Sequence, residues 1–449
     1  MSMPPPSFIP SHSPRLPGEL VDMVIDHLKS DKSALIACSR VSRIWVPRSR
    51  RYRFATISFR VVYLEDADGS NERQLQQIHK FLVFAKSPLA TFIAAVTEVR
   101  IEHRSDLRFT SPMISPERIL AGLERCGIRP TRLYLNCYTH LESWVPTPPF
   151  GPSLASSVVH LHLALDDNLI GRGALLDYVS AFRLLESLTL TGTPKNVALT
   201  FPTALAWPTN LHTLHNGHNL ITTYLLGLDP VPTRLTHLYF GLGHGGALFN
   251  EYLQNDAAAH ITSLALEDSV LPLSPDDSEP NCAKLRRLRH LAITARGLPS
   301  SPGLFISPDL LIGLVKAKLL LERILGSPAF CTLETITLSA TFRPFFPTVW
   351  LDMDALLADA EAWPRLRRVT LTVSPEYRRK YIDTNSLVVE PSGGKRVPLA
   401  LELHRLFARC EARGLLVVDI PILKPSASWN EICQTLDDYQ YTSGMMIDA

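Results

Sequence analysis

Five phrases set the reading of this chain: LESLTLTG (185–192), LHTLHN (211–216), LTHLYF (235–240), ITSLALED (261–268) and LRHLAIT (288–294). Each alternates inward apolar residues with polar or β-branched ones, the period of a strand with one face buried. Five more flank them: VTEVRIE (96–102), TRLYLN (131–136), VVHLHLAL (158–165), LETITLSATF (333–342) and LRRVTLTV (366–373). Aligning the first apolar residue of each pair makes Val99, Leu133, Leu161, Leu188, Leu214, Leu238, Leu264, Leu291, Ile336 and Val369 equivalent. The steps between them are 34, 28, 27, 26, 24, 26, 27, 45 and 33 residues. A central period of 24 to 28 residues is too short for propeller blades.

Helix-like stretches lie between the phrases, at 116–125, 174–182, 247–253, 308–325, 356–362 and 399–413. Strand, turn, helix and turn in repetition predict an α/β fold with a parallel sheet and helices on its outer side. Over 96–420 the pattern resembles an irregular leucine-rich-repeat region. The resemblance implies a solenoid with the sheet on the concave face. The strict L-x-x-L-x-L-x-x-N ladder is not kept, and only Asn136 and Asn216 suggest its asparagine. The 45-residue step holds Pro299, Pro302, Pro308 and a long helix, so it carries either a hidden repeat or an insertion.

Strand parity then selects a face. If Leu161 and Leu163 point into the core, His160 and His162 point the other way. The same parity brings out Arg132, Tyr134, His215, His237, Tyr239 and Arg368, with Thr189, Glu267, His290 and Thr372 among their neighbours. A face rich in His, Tyr and Arg suits recognition of a protein target; the plain alternative is a set of solvent-facing strand residues.

The N-terminal stretch RLPGELVDMVIDHLKSDKSALIACSRVSRIWVPRSRRYRFATISF (15–59) predicts three short helices. Leu20, Val21, Val24, Ile25 and Leu28 form an amphipathic stripe, Asp31 offers an N-cap to a second helix, and Pro47 suits the start of a third. The order Leu16-Pro17-x-Glu19-Leu20, Ile25, Leu28, Leu35-x-x-Cys38 and Val41-Ser42-x-x-Trp45 resembles an F-box. That resemblance implies that Leu16, Pro17, Leu20, Ile25, Leu28, Leu35, Val41 and Trp45 dock the Skp-type adaptor of a cullin-RING ubiquitin ligase. The chain would then be a non-catalytic substrate receptor, with the repeats recruiting an unknown protein. The expected organisation is a Pro-rich disordered tail (1–14), the F-box (15–59), a helical linker (60–95), the repeat region (96–420) and a C-terminal tail (421–449). Arg40, Arg43, Arg48, Arg50, Arg51 and Arg53 occur with no acid between 40 and 53, which reads as a solvated face or a contact for an acidic partner.

Composition supports this class. The 449 residues carry 45 Lys plus Arg against 43 Asp plus Glu, a net +2 that gives no general reason to expect nucleic acid or anionic membrane. The 35 prolines avoid all ten strand phrases, as expected of a residue that cannot donate to a sheet ladder. Residues 1–14 have no signal-peptide pattern, and the longest apolar run, 310–325, is broken by Lys316, Lys318, Glu322 and Arg323, which predicts a soluble chain. Seven scattered cysteines without C-x-x-C predict a reducing, cytoplasmic or nuclear setting and neither disulfides nor a metal site.

Two rival chemistries arise. Gly241, Gly243 and Gly246 fit G-x-G-x-x-G between a strand and a helix-like stretch, with Glu267 at the end of the next strand, the context of a nicotinamide-dinucleotide site. Polar Thr236, His237 and Tyr239 speak against it, because a strand buried on both faces should be apolar throughout. His212, His215 and His218 could hold a metal only if a loop gathered them, since their spacing puts the first two on opposite faces of an extended chain. No cofactor is expected. A repeat scaffold without a ubiquitin role is the third reading.

Overall fold

Strand entry is the feature that recurs most faithfully. The computed structural model describes residues 16–29, 31–63, 70–88, 90–105, 116–138, 151–165, 178–191, 207–216, 234–240, 253, 256–267, 282–295, 309–342, 347–375, 388–389 and 397–419. In it the Ala55 carbonyl accepts the amides of both Thr97 and Glu98, Thr97 those of Thr131 and Arg132, and Thr131 those of Val159 and His160. The same two-amide contact links Glu186 to 212 and 213, His212 to 236 and 237, Thr236 to 262 and 263, Thr262 to 289 and 290, and Arg289 to 334 and 335. Where threonine stands at the entry it adds a hydroxyl: Thr97, Thr131, Thr236 and Thr262 donate to the preceding carbonyl at 3.2 to 3.3 Å. These bonds satisfy backbone groups at a turn where neither helix nor sheet would do so.

The strands are β1 (Thr56–Tyr63), β2 (Glu98–Ser105), β3 (Arg132–Tyr138), β4 (His160–Leu165), β5 (Ser187–Thr191), β6 (Thr213–Asn216), β7 (His237–Phe240), β8 (Ser263–Glu267), β9 (His290–Ala295), β10 (Thr335–Phe342) and β11 (Arg368–Pro375). Two short strands, β12 (Val388–Val389) and β13 (Val397–Pro398), pair antiparallel, and β14 (Leu416–Asp419) follows. Contacts divide the chain into two units. One is Met1–Thr139 with Pro146–Leu161, the other His140–Val145 with His162–Ala449, and the division falls within β4. In the first, β1 pairs with β2 and β2 with β3, all parallel. In the second, β5 to β11 each pair with the next and β11 pairs with β14, again parallel.

The helices are α1 (Gly18–His27), α2 (Lys32–Val41), α3 (Val46–Arg53), α4 (Ser70–Ala85), α5 (Pro116–Arg125), α6 (Pro152–Ala155), α7 (Asp309–Leu325), α8 (Pro347–Leu357), α9 (Leu399–Leu406) and α10 (Ala408–Ala412). The chain is therefore α/β, with parallel sheet and intervening helices. Among the described residues no helix is long and apolar enough to cross a membrane.

Register matches the sequence alignment. Val99 faces Leu133, Leu188 faces Leu214, and Leu214, Leu238, Leu264, Leu291, Ile336 and Val369 follow as direct partners. Nine of the ten phrases also carry a buried apolar residue three positions earlier, as in Leu185-x-x-Leu188-x-Leu190 and Leu288-x-x-Leu291-x-Ile293, these six side chains at 2% exposure or less. One such side chain contributes about 1.5–3 kcal/mol on burial. Across the 45-residue step β9 pairs directly with β10, and the described part of the step carries α7, whose Ala317, Leu320, Leu321 and Ile324 are buried.

Two expectations are corrected. The first strand is β1, not the phrase at 96, and it occupies residues assigned to the F-box and the helical linker; Ile57, Phe59 and Val61 bury its inner face. The linker's helix is α4, which packs Phe81 edge-on to Phe59 and stacks Phe84 on Phe92. The helix expected at 356–362 instead spans 347–357, because Asp359 turns the chain by accepting from the amides of Glu361 and Ala362. Helix 174–182 is described only from 178, helix 247–253 only at Leu253, and residues 1–15 and 420–449 lie outside the described residues.

The N-terminal helices form as expected. Asp31 accepts from the Ala34 amide at 2.9 Å and caps α2, and Pro47 sits in the first turn of α3. Their small core is Val21, Ile25 and Leu35, with Leu28, Trp45 and Tyr52 packed against it. A polar tie closes α1 onto α3. Arg48 donates to both oxygens of Asp26 at 2.8 and 2.6 Å and to Asp22 at 3.2 Å, while the Tyr52 hydroxyl donates to Asp26 at 2.8 Å. Those bonds from Arg48 and then Tyr52 hold the Asp26 carboxyl below the usual carboxylate range.

Helix ends are marked by glycine in the left-handed region. Gly127 (φ +76°) ends α5 with its amide donating to Glu124 and that of Ile128 to Leu123. Gly414 (φ +68°) ends α10 identically, through Glu411 and Cys410, and turns the chain into β14. Nothing lies within 4 Å of a Cβ at either glycine, so replacement acts through conformation alone. Gly127→Ala and Gly414→Ala are each expected to cost about 1–2 kcal/mol in denaturant unfolding. For Asp26→Asn the sign follows from the lowered pKa. The bonds of the ionised carboxyl stabilise the folded state above the unfolded value of about 3.9 and are lost as pH falls through the lower folded value. Protection of α1 and α3 amides in the full chain, corrected for intrinsic exchange, should therefore fall in Asp26→Asn at pH 7, and the gap from wild type should narrow as pH falls below the ordinary carboxylate range.

Candidate functional site

Two surfaces hold the residues singled out by sequence. In the helical unit, Ile25 and Leu35 are fully buried and Leu28 and Trp45 pack on the same core. They hold the three helices together, and Ile25 and Leu35, fully buried, cannot themselves form an exposed docking face, which corrects the expectation for those two; Leu28 and Trp45 stay partly exposed. Leu16, Leu20 and Val41 are exposed at 52, 46 and 68%, and Pro17 is exposed beside them. Met23, Val24 and Ile44, which the F-box resemblance did not mark, are exposed as well. Leu20, Met23 and Val24 stand at i, i+3 and i+4, one face of α1, whereas Val21 and Ile25 take the inward face. The missed signal was the width of the apolar pattern, since α1 carries more apolar residues than one inward stripe needs.

The sheet's polar face is more closed than its parity suggests. In the first unit Arg132 and His160 are exposed. Tyr134 lies under Arg100, whose guanidinium sits 4.7 Å from the ring centre and pairs with Glu98 at 2.6 Å. Burial, with Glu98 nearby, raises the Tyr134 hydroxyl pKa. In the second unit His162 shares a 3.2 Å contact with the Thr191 hydroxyl, and His237 a 2.8 Å contact with that of Thr236. Tyr239 donates to Glu267, and Arg368 is exposed, donating to Thr370 at 3.1 Å.

His215 is the correction on this face. It is 6% exposed because its ring lies parallel to that of Tyr239, its register partner, with centroids 3.9 Å apart. Thr189, Glu267 and Thr372 are buried too. The structure thus brings His215, Tyr239 and Glu267 together as one packed group. His237 and Arg368 occupy the same register row, four strand spacings or roughly 19 Å apart.

The rival chemistries find limited footing. Gly241, Gly243 and Gly246 lie outside the described residues, and Glu267, the acid a ribose would need, is 2% exposed and bonded to Tyr239. His218 is likewise undescribed, while His212 contacts Thr213 and Glu186. No group of three metal-ligating side chains occurs among the described residues. Cys38, Cys126, Cys282, Cys331 and Cys410 are free thiols, and burial pushes that of Cys282 up to about 11, so it resists ionisation. No protein-family model matches the sequence, and the search of curated proteins returns no match.

Proposed function

We propose that the chain is the substrate-receptor subunit of a cullin-RING, SCF-type ubiquitin ligase. Residues 16–55 act as the F-box that docks the Skp-type adaptor, and the repeats from β1 onward act as an irregular leucine-rich-repeat region that holds a protein target. The observation that carries this reading is the division of labour in the helical unit. Its own core consumes Val21, Ile25 and Leu35, yet Leu16, Leu20, Met23, Val24, Val41 and Ile44 remain outside. A unit this small gains nothing from solvating six large apolar side chains, and such concentrations mark protein-binding surfaces.

Mechanism follows from tethering. The receptor forms no covalent bond; it raises the effective concentration of a target lysine near a ubiquitin carrier bound elsewhere in the assembly. Exposed Arg132, His160 and Arg368 are the sheet residues best placed to meet a target, with His162, His237 and Tyr239 partly available. His215, stacked against Tyr239 from the neighbouring strand and nearly buried, supports that ring rather than contacting the target.

The test is calorimetric titration of the full chain with the purified adaptor. Leu20→Gln and Val41→Gln, both outside the core, are each expected to weaken binding by about 2 kcal/mol, roughly 30-fold, with the helical content unchanged. Absence of binding by the wild-type chain would sink the proposal.

A further inference from the structure

The helical unit carries a sharp local charge imbalance, and its arginines adjoin exposed apolar residues in sequence. Residues 16–55 hold eight Lys or Arg against four acids, and no acid occurs from 32 to 64. Asp22 and Asp26 are engaged by Arg48, and Asp31 caps α2, which leaves Glu19 as the remaining acid of the unit, exposed on α1. Arg40, Arg43, Arg50, Arg51 and Arg53 are all exposed. Arg40 directly precedes Val41, and Arg43 directly precedes Ile44, the two most exposed large apolar residues of the unit at 68 and 66%. An apolar centre bordered by charge is the usual anatomy of a protein interface, and here the border is cationic.

From this we infer that the partner seated on Val41 and Ile44 presents an acidic rim to Arg40 and Arg43, and that the α2–α3 arginines steer its approach. The inference rests on the adaptor reading and adds the chemistry of the surface that the adaptor must offer. Rim charges act on encounter more than on lifetime, because they attract the partner across solvent and stay hydrated in the complex. Salt weakens that attraction, the screening length being about 10 Å at 0.1 M.

The experiment is stopped-flow association of the full chain with the purified Skp-type adaptor, from roughly 50 to 500 mM salt. Wild type is expected to associate several-fold more slowly at the high end with little change in dissociation rate. Arg40→Glu with Arg43→Glu should associate about tenfold more slowly at low salt and lose its salt dependence, whereas Arg40→Lys with Arg43→Lys should keep the wild-type profile. Circular dichroism of the glutamate variant establishes that the helices persist; if they do not, Arg50→Glu with Arg51→Glu on the outer side of α3 takes its place. Tight adaptor binding with an association rate indifferent to salt and to charge reversal overturns the acidic-rim inference and leaves the receptor reading standing. No adaptor binding by wild type overturns both.

Discussion

The rest of the fold depends on a single backbone contact, the carbonyl ahead of each strand that accepts two successive amides of the next repeat. It occurs before β2, β3, β4, β6, β7, β8, β9 and β10 with the same geometry. Because a parallel strand can slip by one residue only by turning every side chain to the other face, fixing its entry fixes which residues are core. The buried apolar residue that precedes each contact, such as Leu211, Leu235 or Leu288, anchors the turn from inside. With both ends of that turn held, what lies between strands is free to vary in length. A 24-residue step and a 45-residue step therefore deliver adjacent strands in the same register.

This constraint explains what could be read from sequence. Alternation at a recurring spacing is a local signal, so ten strands and their order were legible. β1 alternates just as clearly in TISFRVVY, but it follows the helical unit so closely that a family pattern running through Phe59 absorbed its first half. β14 is a continuous run, Leu415-Leu416-Val417-Val418, without polar alternation to distinguish it from the end of the preceding helix. The start of α8 was missed although Pro347 suits a first helical turn. Side-chain closure across strands was not legible at all. Whether His215 meets water depends on Tyr239, 24 residues away, and periodicity within one strand carries no information about its neighbour.

The helical unit shows the same limit in another form. A sequence pattern ranks positions by apolarity, and Ile25 and Leu20 rank alike. Only three-dimensional packing separates them, one at 0% and the other at 46% exposure. The polar tie makes that separation possible. By clamping α1 to α3 through Asp26, Arg48 and Tyr52, the unit gains a connection that needs no further apolar residue. Aromatic contacts extend the clamp into the first repeat, through Phe54 against Phe92 at 4.7 Å and Phe92 against Phe81 at 5.9 Å.

The two surfaces consequently differ in kind. On the helices, apolar side chains are presented on a face whose geometry is set by a charged clamp and a capped α2, so a partner meets preorganised hydrophobic anchors. On the sheet, polar residues are already bonded to one another: Tyr239 to Glu267, His290 to Thr335 at 2.8 Å, Arg368 to Thr370. A partner there must exchange existing hydrogen bonds for new ones, which yields little net affinity per contact but penalises any group that leaves a buried polar atom unpaired. On the receptor reading proposed above, anchoring strength would belong to the helical face and discrimination to the sheet, a division suited to a protein that binds one constant partner and selects a variable one.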